Sequence, residues 1–224
     1  MEAGKIVSNV IWLVSDRVFR LGANFLLTLW IARHFGPEGF GELSYLLALV
    51  AVLGSFAALG LNTVVVRDLV QQSAPDRVRE TLGSAVALQA AGGVLAFLLM
   101  AAYCLWPRAE IHDSPYPGLV LAATLLLQPC AVLRYWFESR LQSRYSVMAD
   151  NAAFVASAGV KVLVLLNEGP LVWISAALLI EAMVGACCLA FLFSARGTSH
   201  SILVASMRRA RSLLSDAWPL MLSG

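Results

Sequence analysis

"WLVSDRVFRLGANFLLTLWIARHFGPEGFGELSYLLALV", residues 12–50, decides the fold. Two long apolar runs flank "HFGPEGFG", residues 34–41, whose glycines and proline are what a helix stop and tight turn require. Each run approaches the roughly 20 residues that a helix needs to cross about 30 Å of hydrocarbon. The stretch therefore reads as two membrane-spanning helices joined by a short turn. Asp16, Arg17 and Arg20 stand inside the first run and call for a reason.

The rest of the chain supports a membrane setting. Of 224 residues, 59% are hydrophobic and only 13% charged, with a mean hydropathy of +0.76. A soluble domain is about a quarter charged and confines its apolar residues to stripes. The expected fold class is an all-α integral membrane protein. Six spans are predicted: Ile11–Ala32, Leu43–Val66, Leu82–Trp106, Gly118–Phe137, Val147–Leu166 and Leu171–Phe193. No small-residue cleavage site follows the first hydrophobic stretch, which argues against a signal peptide. Residues 1–195 form the expected six-helix bundle, and 196–211 a basic amphipathic connector on the inner leaflet. At 212–224, "AWPLMLSG" turns apolar like the start of a seventh helix, so the chain reads as the front portion of a longer protein.

Charge placement sets the orientation. Lys5, Arg67, Arg77, Arg79, Arg134, Arg140, Arg144, Arg196, Arg208, Arg209 and Arg211 fall on one side of this topology, against Arg33 and Arg108 on the other. Basic short loops stay in the cytoplasm, so the amino terminus and the segment after the sixth span are expected there. Trp30, Tyr45, Trp106, Tyr116 and Trp173 gather at the outer ends, and Tyr135, Trp136 and Tyr145 at the inner ends, as interfacial belts do.

Several chemistries lack their residues. Cys104, Cys130, Cys187 and Cys188 lie in apolar surroundings without Cys-x-x-Cys spacing, and His34, His112 and His200 are far apart, which argues against a metal site. Gly92 and Gly93 follow no nucleotide-binding pattern and are expected to let helices approach closely. No cofactor is expected. The net charge of +2 reflects cytoplasmic loops rather than a nucleic-acid surface.

Function in such a chain is sought among ionisable groups at membrane depth: Asp16, Arg17, Arg20, Asp150, Lys161 and Glu181. Asp150 near the inner end of its span and Lys161 near the outer end of the same span are each within reach of water by snorkelling. Arg20 and Glu181 belong near the midplane, where a lipid-exposed charge costs about 2.5 to 3.5 kcal/mol on the insertion scale. Advancing about 100° per residue from Asp16, Arg20 lies near 40°, Asn24 near 80°, Arg17 near 100° and Thr28 near 120°. Val18, Phe25, Leu26 and Leu29 take the opposite side. One helix thus carries a cationic stripe, with Asp16 and Arg20 a favourable i,i+4 pair. Two readings compete: Arg20 and Glu181 neutralising one another as a packing bridge, or a hydrated cationic cavity for an anionic group, with acids tuning it or holding a coupling cation.

"ARHFGPEGFGELSY" after the first span, "LGLNTVVVRDLV" closing the second, "RYWFESRLQSRYSVMADN" entering the fifth and "LLIEAM" in the sixth together resemble the polysaccharide-biosynthesis flippases. These are O-antigen-type translocases of the multidrug/oligosaccharidyl-lipid/polysaccharide exporter superfamily, and the likeness runs through essentially the whole chain. The resemblance implies two helical bundles around a cavity open alternately to either side, of which this chain supplies one. It also implies a bacterial cytoplasmic-membrane location, no enzymatic activity, and a polyprenyl-diphosphate-linked oligosaccharide as substrate. Other polysaccharide-assembly proteins and a coupling proton or sodium ion are the implied partners. Arg17, Arg20 and Asn24 become the expected substrate-binding residues; Asp16, Asp150 and Glu181 become candidate coupling-ion or charge-pair positions. A cation-coupled drug exporter of the same superfamily, or a membrane enzyme acting on lipid-linked sugars, is the competing assignment.

Overall fold

The computed structural model describes residues 2–58, 60–71, 75–106, 114–140, 143–195 and 206–223, with side chains except those of 2–17, 19, 75, 143 and 216–223. Asp16 and Arg17 therefore lie outside the described side chains. Among the described residues the fold is all helix: α1 Glu2–Ala58, α2 Leu61–Gln71, α3 Pro75–Cys104, α4 Tyr116–Ala123, a 3-10 segment Thr124–Cys130, α5 Ala131–Ser139, α6 Ser143–Leu166, α7 Leu171–Ala195 and α8 Met207–Ser223.

Among the described residues five stretches are long and apolar enough to cross a membrane: Arg20–Gln71, Asp76–Cys104, Tyr116–Ser139, Arg144–Leu166 and Leu171–Ala195. The first contains the whole of the second expected span and residues 20–32 of the first. They are divided at Gly36, whose φ of 67° and ψ of −174° leave the helical region at no steric cost for glycine, and Pro37 restarts the helix with its preset φ. The two arms fold back on one another: Arg20 lines the same cavity as Leu47 and Val50, although 30 residues of unbroken helix would hold Arg20 and Val50 about 45 Å apart. The turn read from "HFGPEGFG" thus takes only one non-helical residue.

Three boundaries differ from expectation for local reasons. The second expected span ran to Val66, but Gly60, at φ 61°, breaks the helix and starts α2. The third begins at Pro75 rather than Leu82, because proline suits a first helical turn. Within Tyr116–Ser139, Pro129 has no N–H to offer the Leu125 carbonyl four residues earlier, and the chain there tightens into the 3-10 segment.

Two apolar clusters hold the bundle. Near the Gly36 end, Ile31, Leu46, Met100, Leu121, Leu125 and Ile174 interlock; toward the other end, Leu61, Val64, Val65, Val132, Phe137, Leu189, Phe193 and Leu213 do so. Val18, Phe25, Leu26 and Leu29 are exposed, as the oily side of the first arm requires. The helix pair read from Gly92 and Gly93 is also present: a Cβ on Gly92 would meet the Ala57 carbonyl oxygen at 2.8 Å.

α8 takes in only residues 207–211 of the expected connector, whose residues 196–205 lie outside the described residues, and continues through the expected start of a seventh helix; at 17 residues it is not among the five crossing-length stretches. Arg209 donates from Nη2 to Asp68 Oδ2 at 2.8 Å and from Nε to Thr81 Oγ1 at 3.2 Å. Ser84 and Ser206 exchange two further hydrogen bonds, and Leu213 is fully buried. Hydrogen bonds to charged groups contribute about 1.5–3 kcal/mol each before solvent screening, and Arg209 keeps about a quarter of its side chain exposed. Arg209→Met is expected to loosen α8 and raise its amide hydrogen exchange while α3 stays protected. Unchanged α8 protection would show that Leu213, not the ion pair, fixes this helix.

Candidate functional site

The polar groups at membrane depth converge because α6 is striped. Asp150, Asn151, Phe154, Ser157 and Lys161 recur at three- and four-residue spacing, which places them along one side of a helix. Consecutive residues Asp150 and Asn151 are turned by about 100° and so serve different neighbours. Asp150 faces α5, where Arg134 grips it with a two-pronged bond: Nη1 to Oδ2 at 3.0 Å and Nη2 to Oδ1 at 2.5 Å. Asn151 faces α1, where its Oδ1 accepts a hydrogen bond from Arg20 Nη2. The Arg20 guanidinium also lies 6.0 Å from the ring centre of Phe154, close enough for a cation–π contact.

One turn further, Ser157 Oγ donates to Glu181 Oε2 at 2.5 Å and Lys161 Nζ donates to the same oxygen at 3.1 Å. Lys161 is 6% exposed. Its amine therefore turns into the bundle toward Glu181, and the expected snorkelling toward the outer surface does not occur. Of the two competing readings, the Arg20–Glu181 bridge is not what the structure forms: Glu181 is taken by Lys161 and Ser157, and Arg20 bonds Asn151. Asp150, within reach of the inner surface by position, points sideways and pairs with Arg134.

Arg20, Arg134, Asp150 and Glu181 open onto a cavity of about 470 Å³. Arg20, Thr124, Gln128, Arg134, Asp150 and Glu181 supply its polar lining, between walls made by Leu47, Val50, Leu178 and Leu189. A second cavity of about 390 Å³ lies nearer Gly36, between the two arms of α1; Asn24, Thr28, Ser44 and Lys161 line it, and Leu47 and Leu178 are common to both. The cationic stripe of the first arm is thus divided, Arg20 facing one chamber and Asn24 the other. Counted over the described groups, three cations (Arg20, Arg134 and Lys161) stand with two carboxylates (Asp150 and Glu181). In low dielectric, fixed guanidinium donors of this kind replace the hydration of a multiply charged anion.

The polysaccharide biosynthesis protein family matches residues 6–224. The chain belongs to that family. Comparison with curated proteins and with solved structures finds no match. Membership fits what the geometry offers, a polar chamber inside a bundle of apolar helices. Among the described residues no group of three or more His, Cys, Asp or Glu side chains is placed to hold a metal ion.

Of the expected site residues, Arg20, Asp150 and Glu181 come together around one cavity, Asn24 lines its neighbour, and Asp16 and Arg17 are outside the described side chains. Sequence reading missed Arg134, assigned to the cytoplasmic rim by its place at a span end, and Asn151 and Ser157, which carry no charge. The periodic stripe of α6 was the signal available for Asn151 and Ser157.

Proposed function

We propose that the chain forms one bundle of a flippase that carries polyprenyl-diphosphate-linked oligosaccharide from the cytoplasmic to the outer face of a bacterial inner membrane. The observation that carries this reading is the pair of guanidiniums, Arg20 and Arg134, lining one cavity at membrane depth. A diphosphate cannot cross hydrocarbon unaided, and planar guanidiniums present several donors to its oxygens at once. The two arms of α1 cross the membrane separately, the amino terminus lies in the cytoplasm, and the Gly36 turn faces outward. The headgroup enters from the cytoplasm, binds Arg20 and Arg134, and leaves outward when this bundle rocks against a second one. The polyprenyl tail stays in the lipid. Asp150 and Glu181 hold Arg134 and Lys161 in place, and this engagement weighs against a cavity built for cationic drugs.

Deleting the gene in its host tests the assignment. Lipid-linked oligosaccharide is expected to accumulate on the cytoplasmic leaflet, out of reach of glycan-cleaving reagents added outside. Unchanged surface polysaccharide with no stranded intermediate would sink it.

A further inference from the structure

Lys161 and Glu181 are the one described ion pair that joins the two chambers. Glu181 lines the 470 Å³ cavity and Lys161 the 390 Å³ cavity, while their side chains meet at 3.1 Å between them. Leu47 and Leu178, common to both chambers, form the apolar part of the same partition. The pair therefore stands in the wall that the two chambers share. Lys161 is 8% exposed along its side chain and Glu181 35%, so the carboxylate is the more accessible partner. A buried ammonium released from its carboxylate needs another anion at once, because leaving it unpaired is costly.

We propose that the Lys161–Glu181 pair is a gate opened by anion exchange: an incoming diphosphate displaces Glu181 from Lys161, and the ammonium then draws the headgroup into the outer chamber. The idea rests on the flippase reading for its anion and gives that reading a direction, since Lys161 lies beyond Arg20 and Arg134 on the way to Gly36. Ser157 has a defined part in it. Its hydroxyl donates to Glu181 Oε2 and keeps the displaced carboxylate from being left without a hydrogen bond. Lys161 is then a positioning and gating residue, where snorkelling would have made it an idle surface cation.

Cys130 lines the inner chamber and serves as reporter. In the full-length protein with its other cysteines changed to serine, a charged, impermeant thiol reagent is applied outside right-side-out membrane vesicles. Cys130 is expected to react slowly in the parent, about tenfold faster in Glu181→Gln and Lys161→Met, and slowly again in the exchanged pair Lys161→Glu with Glu181→Lys. Loading the vesicles with inorganic pyrophosphate is expected to speed labelling of the parent and to leave Lys161→Met unaltered. Equal labelling in the parent and both single variants overturns the gate. A gate that opens in the variants but ignores pyrophosphate overturns the exchange. Should one single variant fail to insert, the other decides together with the exchanged pair, since protection lost in the single and restored by the exchange requires the charges to meet. The labelling needs no glycan, so its failure is separable from failure of the flippase assignment.

Discussion

Arg20→Ala is expected to reduce export of the lipid-linked glycan by about 10- to 100-fold, the range that corresponds to losing one charge-assisted hydrogen-bonding group worth roughly 1.5–3 kcal/mol. Arg20 reaches the cavity from α1, bonds Asn151 on α6 and sits over Phe154, so its guanidinium is held by two groups on one neighbouring helix. Removing it takes a cation from the chamber without taking a wall from the bundle. Arg20→Lys separates charge from geometry: the ammonium keeps the charge and loses the planar fork, so export is expected to fall between the alanine variant and the parent. The measurement is surface polysaccharide in the deletion strain complemented with each variant, normalised to the amount of inserted protein. Full export by Arg20→Ala at normal protein level would remove Arg20 from the site and leave Arg134 to carry the anion.

How far the sequence could be read depended on the kind of signal. Apolar length located the five crossing stretches seen among the described residues, because hydrocarbon thickness imposes one number on all of them. It could not show that Gly36 alone breaks α1, or that Pro129 tightens the fourth stretch into a 3-10 segment, since both are responses of backbone hydrogen bonding to local chemistry. Charge within an apolar run located Arg20, Asp150 and Glu181. Partner choice was beyond it. Whether Glu181 meets Arg20 or Lys161 depends on how α1, α6 and α7 are rotated about their axes, and the rotation of α6 is set by a stripe in which Asn151, Phe154 and Ser157 are uncharged. A search confined to ionisable residues passes over such a stripe, and a search for 3.6-residue periodicity across all polar types finds it. The same blindness put Arg134 at the rim, where its position near a span end matched a basic loop.

Replacing Gly93 by leucine is expected to abolish accumulation of the inserted protein, a larger structural effect than any change at the cavity. A Cβ at position 93 would run into the Leu125 carbonyl oxygen, and backbone cannot retreat as a flexible side chain can. The contact is close because Gly93 brings α3 against the 3-10 segment, where Pro129 leaves the Leu125 carbonyl without its usual α-helical donor. Even Gly93→Ala forces the two helices apart, with an expected cost of about 1–3 kcal/mol from overpacking. The segment that would move carries Gln128, one of the cavity's polar groups, and leads directly into α5 and Arg134. Alanine at 93 is therefore expected to lower thermal stability in detergent and export together, whereas alanine at Gly22, whose Cβ would meet nothing within 4 Å, is expected to leave both unchanged. Normal melting and normal export by Gly93→Ala would show that the close crossing of α3 with the 3-10 segment is not what holds the cavity wall.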